Sequence, residues 1–219
     1  MAATLEARIS EEISRFRYER SYKEMIEQLL IGREEGLAAS RLSYGAQERL
    51  SKNLKKELER YFPADSWTNP GFDKEQVLKQ VQGPLLEVGG PTMRGYVTID
   101  VSRLPRRLWI TNITRNFCPP DVKDQGHIDM EANATNLPFA DKSIGAEFVS
   151  CLLCSRRKVL NEAYRVIEDK GLLFWQGAQD TEVIYAHLLG FEMQEYARRK
   201  YQFSPEYYEN LWSAIFQKP

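Results

Sequence analysis

The chain has 219 residues, 42% of them hydrophobic and 28% charged, which suffices for one sizeable core in an ordinary soluble globular protein. Lys and Arg number 30 against 31 Asp and Glu, a formal net charge of -1, so no global pull toward nucleic acid or an anionic membrane is indicated. Three cysteines, an odd number, do not make a disulfide framework.

The N-terminus, Met1 to Arg8, turns charged too early for a signal peptide, and its glutamates argue against a transit peptide. No apolar run approaches the ~20 residues that a bilayer span requires. A reducing, cytoplasmic compartment is expected, with no membrane partner.

From Leu5 to Tyr61 the pattern is helical. Leu5, Ile9, Ile13, Phe16, Tyr22, Met25, Ile26, Leu29 and Leu30 recur at helical spacing between charged residues. Gly36 is placed to end this helix, and Ser43 to cap a second one carrying Leu50, Leu54 and Leu58. Pro63 and the stretch from Ala64 to Phe72, with Pro70 and Gly71, break the pattern. The expected division is a helical N-terminal extension over 1–72 and an α/β domain over 73–219.

After Asp73, strands and helices alternate, which argues for a mostly parallel sheet with helices on its faces. The expected strands are Leu85–Val88, Tyr96–Asp100, His127–Met130, Ala146–Cys151 and Gly171–Trp175. A helix from Arg156 to Ile167 carries Val159, Leu160, Ala163, Tyr164 and Ile167 on one face. Another runs from Thr181 to Leu189 and stops at Gly190. Phe191–Phe203 and Leu211–Gln217 read as two late strands that would pair antiparallel at an edge, joined by a Ser204-Pro205 turn and a short aromatic segment. Between Val101 and Gln125, Pro105, Pro119 and Pro120 forbid a long regular element and leave an irregular crossing loop, with at most one short helix or strand around Leu108–Ile110.

The most informative stretch is Leu85-Leu86-Glu87-Val88-Gly89-Gly90. It is a buried strand that breaks into a glycine turn, followed by Tyr96-Val97-Thr98-Ile99-Asp100, which ends in a carboxylate. A turn without side chains lets a ligand approach the backbone, and a strand-end carboxylate can hold a ribose diol. The pair points to a nucleoside-containing cofactor.

Four segments, 85–90, 97–100, Asn133-Ala134-Thr135-Asn136-Leu137-Pro138-Phe139-Ala140-Asp141-Lys142-Ser143 and Asn161-Glu162-Ala163-Tyr164-Arg165-Val166-Ile167-Glu168-Asp169-Lys170-Gly171-Leu172-Leu173, resemble in type and order the class I S-adenosylmethionine-dependent methyltransferases. The resemblance covers about Gln82 to Gly190. It implies a Rossmann-like, seven-stranded sheet with an antiparallel last strand, helices on both faces, and S-adenosyl-L-methionine as cofactor. At matched positions it implies that Gly89 and Gly90, after the acidic Glu87, admit the methionine part. Asp100 would accept from the ribose hydroxyls, and Val101 would pack on adenine. Asn133 and the backbone of Ala134 would face the adenine edge, and Cys151 would close the floor.

The chain departs from the family pattern at several points. Only the first glycine of acidic-x-Gly-x-Gly-x-Gly is in place, and Pro91 and Met93 stand where the later two belong. Gly89 and Asp100 are eleven positions apart, where a dinucleotide fingerprint expects about twenty. Asn133 stands for the usual adenine-edge acid; an amide can accept, but without charge.

Cys151-Leu152-Leu153-Cys154 has no second ligand pair, with Cys118 and His127 isolated, so buried thiols are expected and no metal. His127 and His187 are solitary. Arg103–Arg107 and Arg156–Lys158 read as solvated charge, and Tyr201, Phe203, Tyr207, Tyr208 and Trp212 as packing or the wall of an acceptor pocket. The N-terminal helices are compatible with core packing, a lid or a homodimer surface.

The expected activity is methyl transfer to a small-molecule acceptor, with no catalytic residue assigned and no nucleic acid indicated. The alternative is a methyltransferase-like module that binds or assembles without turnover. An NAD-type oxidoreductase lacks Gly-x-Gly-x-x-Gly and has no use for the Asn133–Phe139 run.

Overall fold

The computed structural model describes residues 22–34, 42–90, 105, 108–113, 128–150, 155–204 and 207–219. Residues 5–21 and Gly36, at either end of the expected first helix, fall outside them. Met25, Ile26, Leu29 and Leu30 form the buried stripe of α1 (Tyr22–Glu34). Leu50, Leu54 and Leu58 recur every fourth residue and bury the inner face of α2 (Tyr44–Tyr61), with Ser43 at its N-cap position.

Among the described residues, eight strands form one sheet: β1 (Ser66–Thr68), β2 (Leu85–Val88), β3 (Leu108–Asn112), β4 (Met130–Glu131), β5 (Ile144–Ser150), β6 (Ile167–Ala178), β7 (Glu192–Ser204) and β8 (Tyr207–Gln217). Their spatial order is β1-β7-β8-β6-β5-β2-β3-β4. Neighbours among β2 to β6 are parallel. β8 is antiparallel to both β6 and β7, and β1 is antiparallel to β7. The mostly parallel sheet with an antiparallel last strand is therefore present, enlarged by β1.

Among the described residues, three helices follow α2. In α3 (Lys74–Gln80), Asp73 caps the N-terminus by accepting from the Gln76 amide at 3.1 Å. α4 (Arg156–Val166) follows β5. α5 (Asp180–Leu189) opens with Glu182 accepting from the Gln179 amide at 3.0 Å, and Gly190 ends it in the left-handed region at φ 107.

The sheet separates two apolar layers. On one face, α1, α2, α4 and α5 share a core with Leu86, Val88, Leu173 and Trp175. On the other, Leu78 and Val81 pack with Leu85, Ala146, Phe148, Phe174 and Ile215. The N-terminal helices thus join the same core as the sheet, and α1 lies against α4 and α5.

Two expectations need correction. The late strands do pair antiparallel, β7 with β8, but they do not end the sheet: β8 lies between β6 and β7, and β1 covers the outer side of β7. More consequentially, β3 is Leu108–Asn112, a core strand where the crossing loop was expected to hold at most a short helix or strand around Leu108–Ile110. Leu85–Val88 pairs in full with Leu108–Thr111 on one side and with Ala146–Val149 on the other. Both edges of β2 are therefore occupied by described strands; the expected strand Tyr96–Asp100 lies outside the described residues.

Candidate functional site

The chain leaves β2, builds β3 and β4 on one side, then crosses back to build β5 and β6 on the other. This makes the carboxyl end of β2 a topological switch point, where open α/β sheets form their ligand crevice. Gly89 and Gly90 stand there.

Gly89 takes φ 82, a left-handed conformation that glycine adopts without a Cβ penalty. The Gly89 and Gly90 amides both donate to the Thr111 carbonyl, at 3.0 and 3.1 Å. The Thr111 hydroxyl donates to the Glu87 carbonyl at 2.9 Å. The Asn112 side-chain amide donates to the Gly90 carbonyl at 2.7 Å, and its oxygen accepts from the Ile113 amide at 2.7 Å. The end of β3 therefore holds the glycine turn from below on both its donor and acceptor sides.

Glu87 is buried directly beneath that turn. A Cβ built on Gly90 would fall 2.6 Å from Glu87 Cδ and 2.8 Å from Ile110 Cγ2. The second glycine is thus needed for close approach as much as for conformation. Gly90→Ala is expected to destabilise the fold by about 1–3 kcal/mol, the usual range for overpacking a filled site. Urea denaturation measures it, and an unchanged midpoint would mean that Glu87 moves aside freely.

Asn133, after β4, is exposed, and its Oδ1 accepts from both the amide and the hydroxyl of Thr135, each at 2.9 Å. Both oxygen lone pairs are engaged within the turn. The side chain consequently offers a donor, its Nδ2, where an acceptor for the adenine amino group was expected. Ala134 is buried at the edge of the main core. Asp100, Val101 and Cys151 lie outside the described residues. Asn112 ends the described strand next to β2 and Ile113 follows it; Ile113 is 68% exposed, an apolar side chain presented at the end of the strand.

The two family-like runs meet in space. The Leu137 amide donates to Glu162 Oε1 at 2.6 Å. Arg165 donates to Glu162 at 2.6 and 2.9 Å, to the Leu137 and Phe139 carbonyls at 3.1 and 2.8 Å, and to Asp141 at 2.7 Å. The Arg165 hydrogen bonds hold the Glu162 carboxyl below its ordinary value, and Glu162 in turn raises the Arg165 guanidinium. This clamp fixes the loop that carries Asn133 and Ala134.

No group of His, Cys, Asp and Glu among the described residues could hold a metal ion, and no helix among them is long and apolar enough to cross a membrane.

No protein-family model matches the chain, and no curated protein matches it. Solved structures similar to it include an S-adenosylmethionine-dependent methyltransferase from Thermotoga maritima described as a possible histamine N-methyltransferase (15% identity, 77% of this chain and 98% of that one, TM-score 0.44). Another, from Archaeoglobus fulgidus, is an S-adenosylmethionine-dependent methyltransferase with 10% identity over 77% of this chain and 94% of that one, at TM-score 0.46. A third is geranyl diphosphate C-methyltransferase from Streptomyces coelicolor, with 10% identity over 78% of this chain and 86% of that one, at TM-score 0.46. At these identities the likeness concerns the fold alone.

Proposed function

We propose that this chain binds S-adenosylmethionine above the Gly89-Gly90 turn and transfers its methyl group to a small-molecule acceptor. The observation that supports this best is the side-chain-free turn at the switch point between β3 and β5, held rigid from below. The methionine part would lie against Gly89 and Gly90. Adenine would lie against Ile113, in the place foreseen for Val101, with its edge toward the Asn133 Nδ2 and the Ala134 backbone. Cys151 keeps its proposed place at the floor.

The sulfonium supplies an electrophilic methyl group, so the protein's task is mainly to align donor and acceptor. A rigid turn and a clamped 133–141 loop serve that task without a dedicated base. The near-neutral charge balance favours a small acceptor over nucleic acid. The N-terminal helices contribute to the shared core, and a homodimer through their outer faces remains part of the proposal.

A second reading, a binding module without turnover, is favoured by one specific feature. The Asn112 amide, and the Asn133 oxygen, are engaged within the protein instead of being offered to a nucleoside. Calorimetric titration with S-adenosylmethionine and, separately, S-adenosylhomocysteine distinguishes the two. Micromolar binding of both is expected. A folded sample that binds neither would overturn methyl transfer and leave the binding-module reading.

A further inference from the structure

At the carboxyl end of the second strand of the core, the residue is an amide, Asn112, and it faces inward. It is 8% exposed, its nitrogen 2.7 Å from the Gly90 carbonyl and its oxygen 2.7 Å from the Ile113 amide. We infer that Asn112 is a positioning residue: it locks the glycine turn and does not grip a ribose.

The chemistry separates Asn112 from an acid at the same position. Only a donor satisfies the Gly90 carbonyl, which the buried amide supplies and a carboxylate cannot. An ionised Asp there would set two acceptors against each other at hydrogen-bond distance, in a site nearly closed to water. The Gly90 peptide would then have to rotate, and Gly90 has little room, because Glu87 and Ile110 fill the space beside its Cα. A protonated Asp, by contrast, is nearly isosteric with Asn and can donate the missing bond.

The test is Asn112→Asp, in the full chain. Its ligand readout rests on the cofactor reading above; its amide readout does not. S-adenosylhomocysteine affinity is expected to fall roughly tenfold or more at pH 7.5, equivalent to about 1.4 kcal/mol for each tenfold step. It should recover as the pH is lowered to about 5 and the new carboxyl takes up a proton, whereas wild type changes little over that range. In the ligand-free protein, hydrogen-exchange protection of the Gly89 and Gly90 amides, which both bond Thr111, should fall and recover in parallel.

Tighter binding by the Asp variant at pH 7.5 would overturn the inference, because it would mean that the side chain faces the ligand. Unchanged affinity together with unchanged amide protection would overturn it too. If wild type bound no nucleoside at all, the cofactor reading would fail, and the amide protection of the two glycines would still decide the role of Asn112.

Discussion

Arg165→Ala is expected to lower stability by about 2–3 kcal/mol and to release the 133–141 loop. The substitution removes a planar guanidinium that donates to Glu162 twice, to two loop carbonyls and to Asp141. Removing one partner of such a pair does more than delete its bonds. It leaves Glu162, whose side chain is 10% exposed, with a carboxylate held by the Leu137 amide and little else of opposite sign. Full burial would put the loss at about 3–5 kcal/mol; Arg165 itself is a third exposed, so water recovers part of it. Arg165→Lys should rescue little, because an ammonium cannot reproduce a fork that spans a carboxylate and two carbonyls. Urea denaturation gives the magnitude. Exchange of the Leu137 amide shows where the loss is felt, and it should rise far more than exchange in the sheet. A loss below about 0.5 kcal/mol would mean that the network is a surface ornament in solution.

The clamp has an acid limit. Glu162 titrates below its ordinary value in the folded chain, so its contribution is complete above the unfolded value and is lost as pH falls through the lowered folded one. Arg165→Ala should therefore flatten the acid side of the stability profile as well as lower its plateau.

This clamp also illustrates what a sequence can and cannot disclose. Glu162 and Arg165 stand three apart in a run that was legible as a motif, and the helix around them was legible from its apolar spacing and borders. The role of the pair was not, because it depends on a loop more than twenty residues earlier. The helix end at Gly190, with its left-handed conformation as local cause, was equally readable; Ser43 holds the N-cap position without a side-chain cap bond. The second core strand was not. Val97-Thr98-Ile99-Asp100 and Leu108-Trp109-Ile110-Thr111-Asn112 are both short β-patterned runs, and period alone does not say which pairs with β2. Pairing across the sheet sets the second beside β2, with Asn112 at its carboxyl end. β1 escaped notice because its three residues are exposed and carry no alternation; it is held by antiparallel pairing with Glu195–Ala197 of β7 and by Trp67 stacking on Tyr196. α3 is seven residues long, too short to display a period.

Glu147 leads to the opposite kind of expectation, a gain in stability on substitution. It lies in mid-strand on β5, fully buried, with Leu86 and Leu173 opposite it on the flanking strands. Neither of its oxygens has a hydrogen-bond partner among the described residues. Burial pushes its pKa from 4.5 up to about 8, and the Glu162 carboxylate on α4 adds to the rise. Across that window the folded chain holds a proton that the unfolded chain releases. Stability therefore falls as pH climbs from about 4.5 toward 8 and levels off beyond it. At pH 7 the carboxyl costs roughly 3 kcal/mol relative to acid, at 1.36 kcal/mol for each unit between the unfolded value and pH 7. Glu147→Gln keeps the shape and removes the proton equilibrium. The variant should match wild type near pH 4.5 and become progressively more stable than it up to about pH 8. Urea midpoints for both proteins across pH 4.5–8.5 provide the difference curve. A difference that does not change with pH would show that the Glu147 carboxyl reaches water in the folded protein. It would also show that the layer between β5 and α4, where Glu162 begins the clamp, is more open than its packing implies.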